Sequence, residues 1–196
     1  MNITFSPLDH FLYQVNIDAT QIKQELFNQP WRKEEPYWRA DENLERYHLE
    51  RHDAITGTPK ICLNYFHSTE HKTRLLDLLF SSEKFNMLWG WPKRQEFEKV
   101  TTVYSKFVLD KPGYYTDFHA DSHKQIAFGM IYFIDGDDSD QSTYFYSDKL
   151  KQQTTRIPTG MGQGWLVINN NDAWHEGGNK STQDRYCLQF GLNFNF

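Results

Sequence analysis

From residue 100 onward, apolar and polar positions fall into short blocks separated by turn residues. The clearest block is the last, residues 185–195, which alternates throughout. Tyr186, Leu188, Phe190, Leu192 and Phe194 share one face, and Arg185, Cys187, Gln189, Gly191 and Asn193 share the other. That is the two-residue period of a β-strand. Residues 100–109 alternate similarly, with Val103, Phe107 and Leu109 opposite Thr102, Tyr104 and Lys106. Lys111-Pro112-Gly113 marks a turn, after which residues 114–119 read as a strand. Residues 126–134 and 165–168 are nearly continuous apolar runs, as expected of strands covered on both faces, and residues 142–146 form a further short strand. Many short strands with turns at this spacing predict a sandwich or barrel.

The N-terminal half reads differently. Asp18-Ala19-Thr20-Gln21 resembles a capping box ahead of a helix carrying Ile22, Leu26 and Phe27. Residues 28–58 are polar and broken by Pro30 and Pro36, and read as loops with short elements. The run at 61–66 reads as a strand. Ser68 is placed to cap a helix whose stripe of Leu75, Leu76, Leu78 and Leu79 must dock on a core. No repeat or linker interrupts the chain. One domain over residues 1–196 is expected, with 1–99 as a mixed support region and 100–196 as the β core.

Composition narrows the function classes. The 196 residues carry a net charge of −5, so no broad basic face is implied and nucleic acid is a poor partner. Cys62 and Cys187 have no metal-binding spacing and suit a reducing compartment. No apolar run reaches the ~18 residues of a membrane span. The first twenty residues lack the basic-then-apolar layout of a leader. A soluble cytoplasmic enzyme is the expectation, with oligomeric state open.

The chemistry centres on His119-Ala120-Asp121. On a strand, residues two apart point to one face. His175 follows another apolar strand 54 residues after Asp121, and Arg185 lies ten residues beyond it. Two imidazoles and one carboxylate suit ferrous iron with an open face, although zinc also accepts such a set. Arg185 offers a planar fork to a carboxylate, and Tyr115 or Tyr104 could add a hydroxyl. His123 competes with His175 as third ligand, but choosing it leaves the later histidine and arginine without a role. His67 and His71 have helical spacing with Glu70 between them, and read as a solvated helix start. The acidic run 135–140 lacks the glycine and glutamate of a calcium loop and reads as a turn. Gly160, Gly162 and Gly164 precede a strand rather than a helix, which excludes a dinucleotide fingerprint. Core packing is the simplest role for Trp31, Trp38, Trp89 and Trp91. The segment between Asp135 and Arg156 has the length of a lid.

Over residues 100–196 this arrangement resembles the iron(II)/2-oxoglutarate-dependent dioxygenase superfamily. It is similar to the prolyl 4-hydroxylase-like branch in having Gly113 six residues before His119 and Tyr132 in the strand after the H-x-D motif. The resemblance implies a double-stranded β-helix (jelly-roll, cupin-like) core within a mainly β, α+β chain. It implies His119, Asp121 and His175 as iron(II) ligands and Arg185 as the residue binding the distal carboxylate of 2-oxoglutarate. O2 would be the co-reactant, and succinate and CO2 the co-products. The retained carboxylate of Asp121 favours hydroxylation over halogenation. The substrate would be a peptidyl residue, a free amino acid or another small metabolite. The competing class is a non-catalytic metal-binding jelly roll. Three positions depart from the branch. It usually has lysine where Arg185 stands, and a tyrosine at the place of Asp110. Cys187 replaces the serine of the related R-x-S motif. Gly191 stands where nucleobase demethylases have a second arginine.

Overall fold

The computed structural model describes residues 2–9, 11–33, 45–82, 85, 90, 93–121, 124–147, 150, 154–169 and 173–195. In chain order these form β1 (Ile3–Pro7), β2 (Leu12–Ile17), α1 (Thr20–Leu26), β3 (Arg32–Lys33), β4 (Arg46–Glu50), α2 (Gly57–Phe66), α3 (Thr69–Ser81) and α4 (Arg94–Lys99). Eight further strands follow: β5 (Thr101–Asp110), β6 (Tyr115–His119), β7 (Gln125–Tyr132), β8 (Thr143–Tyr146), β9 (Thr154–Ile157), β10 (Gln163–Ile168), β11 (Trp174–Gly178) and β12 (Arg185–Phe194). They build an antiparallel jelly roll. The large sheet runs β1-β2-β10-β7-β12-β5-β4-β3 and the small one β6-β11-β8-β9. Strands β5 to β12 are distributed between the two sheets as a double-stranded β-helix requires, and β1 to β4 widen the large sheet at both edges.

Alternation along the central strands produces two cores. On the outer face of the large sheet, Phe107, Leu109, Ile131, Leu188, Phe190 and Leu192 pack with Ile22, Leu26, Cys62, Leu63, Phe66, Leu75, Leu76 and Leu79 from the helices. On the inner face, Val108, Phe128, Met130, Tyr132, Trp165, Val167 and Cys187 meet Phe145 and Ile157 of the small sheet. The leucine stripe of α3 thus docks where its pattern demands. Ser68 caps that helix, accepting a hydrogen bond from the His71 amide at 3.1 Å.

Several elements differ from the sequence reading. The apolar run at 61–66 is helical, because Pro59, Cys62, Leu63 and Phe66 are the buried positions and recur with a helical period. Pro59 falls in the first turn, where no backbone N–H is needed. Gly57 opens α2 at φ +65°, and the carboxylate of Glu25 fills the space a β-carbon would take. That carboxylate accepts from the Thr58 amide at 2.7 Å and the Thr58 hydroxyl at 2.8 Å, capping α2 from α1. The polar stretch read as loops with short elements does carry two short strands, β3 and β4. The would-be lid between Asp135 and Arg156 contributes β8 and β9 to the small sheet. Trp31 packs edge-on against Tyr186 and donates to the Leu26 carbonyl. Trp38, Trp89, Trp91 and His123 lie outside the described residues.

His71 is fully buried rather than solvated. Its ring lies 4.6 Å from Phe66 and 5.9 Å from Phe190, and neither nitrogen has a hydrogen-bond partner. Burial pushes its pKa down to about 3 from 6.5, so it packs as a neutral disc. A buried polar group without a partner is destabilising. His71→Leu should therefore raise unfolding stability by about 1 kcal/mol at pH 7. The folded pKa is depressed, so between pH 6.5 and about 3 only the unfolded chain takes the proton. The wild type then loses stability as pH falls, and its gap to the variant should widen by about 2 kcal/mol at pH 5. Urea unfolding at the two pH values measures both effects; a less stable variant at pH 5 would refute the reading.

Candidate metal and anion site

The two sheets open at one end into a cavity of about 730 Å³. His119 ends β6, and His175 lies directly across from it on β11. Asp121 reaches in from the turn after β6. Their potential ligand atoms all lie within 4.8 Å of one another. Asp121 Oδ1 is 3.4 Å from His119 Nε2, and Oδ2 is 3.8 Å from His175 Nε2.

The tautomers follow from the neighbours. His119 Nδ1 is 2.6 Å from the Asp117 carbonyl, and His175 Nδ1 is 2.9 Å from the Ala173 carbonyl. A carbonyl only accepts, so each Nδ1 carries the proton and donates it. Each Nε2 lone pair is left facing Asp121, the outer-partner arrangement common to metal-binding histidines. Burial lowers the pKa of His175, against the opposing pull of Asp121, which favours the neutral ligand form. Phe128, Phe145 and Trp165 surround the His175 ring at centroid distances of 5.3, 5.4 and 6.1 Å. Two neutral imidazoles and a carboxylate on one side, with a cavity on the other, fit a divalent transition metal with open positions.

Arg185 begins β12 and lines the same cavity, fully buried. Its Nε and Nη2 donate to Asp110 Oδ2 at 3.0 and 2.5 Å, and Nη1 donates to the Gln141 carbonyl at 3.0 Å. Three of its five N–H groups are thus engaged, and two have no protein partner among the described residues. Asp110 is fully buried, and Arg46 and Arg185 together hold its carboxyl below the usual range despite that burial.

Neither tyrosine considered as Arg185's helper is positioned for it. β6 carries a bulge: Thr116 pairs with Gly177 and His119 with His175, three steps on one strand against two on the other. The extra residue reverses side-chain parity, so Thr116 lines the cavity while Tyr115 faces outward. There Lys180 Nζ stands 4.2 Å over the Tyr115 ring, and burial with nearby Glu176 pushes the phenol up to about 12. Tyr104 does line the cavity, but it is six residues from Asp110 along β5, roughly 20 Å at strand rise. It lies toward Asp121, and Gln125 Nε2 donates to its hydroxyl at 3.4 Å.

A hydroxyl near Arg185 comes instead from Thr143, which the sequence reading missed. Trp165 Nε1 donates to the Tyr132 hydroxyl at 3.0 Å, and that hydroxyl donates to Thr143 Oγ1 at 2.8 Å. An indole can only donate, so the Tyr132 oxygen accepts from it and keeps its own proton for Thr143. The Thr143 proton is therefore available to an acceptor in the cavity, two residues from the carbonyl that holds Arg185. Only the pairing of a buried tyrosine with a tryptophan across β7 and β10 would have signalled it.

Neither family models nor curated proteins match this chain. Solved structures do. A prolyl-4-hydroxylase from Pseudomonas putida superposes with a TM-score of 0.61 at 12% identity, over 94% of this chain and 93% of that one. A prolyl hydroxylase from Trichoplax adhaerens, in complex with a hypoxia inducible factor oxygen degradation domain peptide fragment, gives 0.61 at 11% identity, over 94% and 84%. The viral collagen prolyl hydroxylase of Paramecium Bursaria Chlorella virus-1, as its 2OG complex, gives 0.54 at 14% identity, over 94% and 96%. At these identities the likeness is one of architecture: the chain has the double-stranded β-helix fold shared by these prolyl hydroxylases.

Proposed function

We propose that the protein is an iron(II)- and 2-oxoglutarate-dependent oxygenase that hydroxylates an unactivated carbon of a peptidyl residue. The observation that carries this reading is one cavity holding both a His-Asp-His ligand set and a buried arginine. His119, Asp121 and His175 would hold iron(II). The bound metal, with 2-oxoglutarate and O2, supplies C–H oxidation coupled to release of succinate and CO2. Arg185 and Thr143 orient the cosubstrate by its distal carboxylate, through charge-assisted and hydroxyl hydrogen bonds. Phe128, Phe145 and Trp165 exclude water around His175. The peptide preference draws on the prolyl hydroxylases that share the fold, one of them in complex with a peptide. The stacked rings of Phe118 and Trp174, 5.0 Å apart, offer an aromatic surface beside the cavity for an extended chain.

Anaerobic titration with iron(II) and then 2-oxoglutarate should develop the weak visible charge-transfer band of the chelate. Thr143→Val should weaken 2-oxoglutarate at least about fivefold, the loss of one hydrogen bond to a charged group. With O2 admitted, succinate should form, faster with an accepted peptide. Protein that takes zinc but ignores 2-oxoglutarate would refute the proposal in favour of a metal-binding jelly roll.

A further inference from the structure

Given the function proposed above, on which this rests, we propose that Thr116, Gly177 and Thr143 form a specificity-determining gauge for the cosubstrate's carbon chain. The gauge admits an unbranched 2-oxo diacid and excludes branched ones.

All three residues line the cavity and share one row of the small sheet. Gly177 on β11 pairs with Thr116 on β6 at one side and with Thr143 on β8 at the other. The row lies between the two halves of the site. Along β8, Phe145 stands across from His175, and Thr143, two residues earlier, stands across from Gly177. Two residues earlier again, the Gln141 carbonyl accepts from Arg185 Nη1 at 3.0 Å. A molecule reaching from the His-Asp-His set to Arg185 therefore crosses this row. One two-residue step along a strand is roughly 6.8 Å, a distance that a short methylene chain with its end groups can cover.

The missing side chain of Gly177 sets the shape of that crossing. Paired side chains on neighbouring strands stand roughly 5 Å apart, so Thr116 and Thr143 flank the glycine across about twice that width. A stiff, β-branched wall on each side of a bare backbone floor makes a slot. Met130 and Trp165 line the same cavity from the large sheet. β8 approaches the floor closely. A β-carbon on Gly177 would lie 3.0 Å from Thr143 Oγ1, 3.1 Å from Thr143 Cα and 3.2 Å from the Ser142 carbonyl oxygen. Two of those three atoms belong to the main chain and cannot turn aside. A methyl group there either narrows the slot or displaces Thr143, whose hydroxyl accepts from Tyr132 at 2.8 Å. None of the three residues is charged, so the slot reads the width of the chain and leaves the carboxylate to Arg185.

The test uses the full chain loaded anaerobically with iron(II) and titrated calorimetrically with three ligands. They are 2-oxoglutarate, its analogue with two methyl groups beside the distal carboxylate, and oxalate, which can chelate a metal but has no chain. Wild type should bind the branched acid at least about tenfold more weakly than 2-oxoglutarate, the penalty of overfilling a packed site. Gly177→Ala narrows the slot from its floor and Thr116→Leu from one wall. Each should weaken 2-oxoglutarate at least about tenfold and change oxalate less than about twofold. Thr116→Leu leaves the contact between β8 and β11 intact, so it decides the outcome if Gly177→Ala fails to fold. Equal weakening of 2-oxoglutarate and oxalate would overturn the inference, making the row a support of the fold. So would unchanged 2-oxoglutarate affinity in Thr116→Leu, or equal wild-type affinity for the branched acid. Wild-type protein that binds iron(II) and oxalate but not 2-oxoglutarate would overturn the proposed function and this inference together.

Discussion

Asp110→Asn should cost about 3–5 kcal/mol of folding stability, the loss expected when one partner is removed from a buried ion cluster. The carboxylate lies behind two arginines that line the cavity, and its effect comes from what it neutralises. Without it, Arg46 and Arg185 would stand side by side in a desolvated row with an amide oxygen as their shared acceptor. The same group makes a pH prediction. Its folded pKa lies below the ordinary 3.8, so it contributes full stability above that value. The contribution is lost as pH falls through the depressed folded value, and acid unfolding of the wild type should include this step while the variant lacks it. Denaturant unfolding at neutral and acid pH measures both. A neutral-pH loss below about 1 kcal/mol would mean the cluster behaves like a surface pair.

His175→Ala should lower iron(II) affinity at least about a hundredfold, since even outer partners of metal ligands are worth 10–100-fold. It should also abolish the 2-oxoglutarate charge-transfer band and succinate formation. Two of the three donors would remain, but on the same short segment, with the opposite side of the ion unheld. In the proposed set, His175 is the donor contributed by the paired strand β11. The truncation opens space among Phe128, Phe145 and Trp165, so a modest fall in thermal stability should accompany it. Isothermal titration of iron(II) under argon, with circular dichroism as the check on folding, separates the two effects. Near-normal metal binding by the variant would mean that His175 is a packing residue and that another group completes the set.

The β core was largely legible because its strands are long and patterned. The alternation of residues 185–194 and 101–109 placed Arg185, Tyr104 and Lys106 on the cavity face and Phe107, Phe190 and Leu192 in the core. What escaped had a physical cause in each case. β11 contains Gly177 and Gly178 and too little apolar patterning to announce a strand, although it carries His175. α2 hid behind an apolar run whose true period begins at Pro59, outside the run. The bulge in β6 inverted the parity argument for Tyr115, because one inserted residue leaves no trace in composition. Arg46 and Asp110 are unremarkable singly and meaningful only through register across three strands. Thr143 depends on a donor relay between distant strands, which no local pattern encodes.

The two histidines facing Asp121 share a detail with a lasting consequence. Each imidazole is anchored through Nδ1 to a main-chain oxygen two positions upstream, at Asp117 and at Ala173. An anchor made of peptide backbone has no side chain to lose. Substitutions at 117 or 173 can reshape the surrounding wall, yet the rings keep their tilt so long as the two strands keep their path. The proposed metal grip is thereby insulated from changes in its own lining, and the pocket can be remade for a different guest around an unmoved centre.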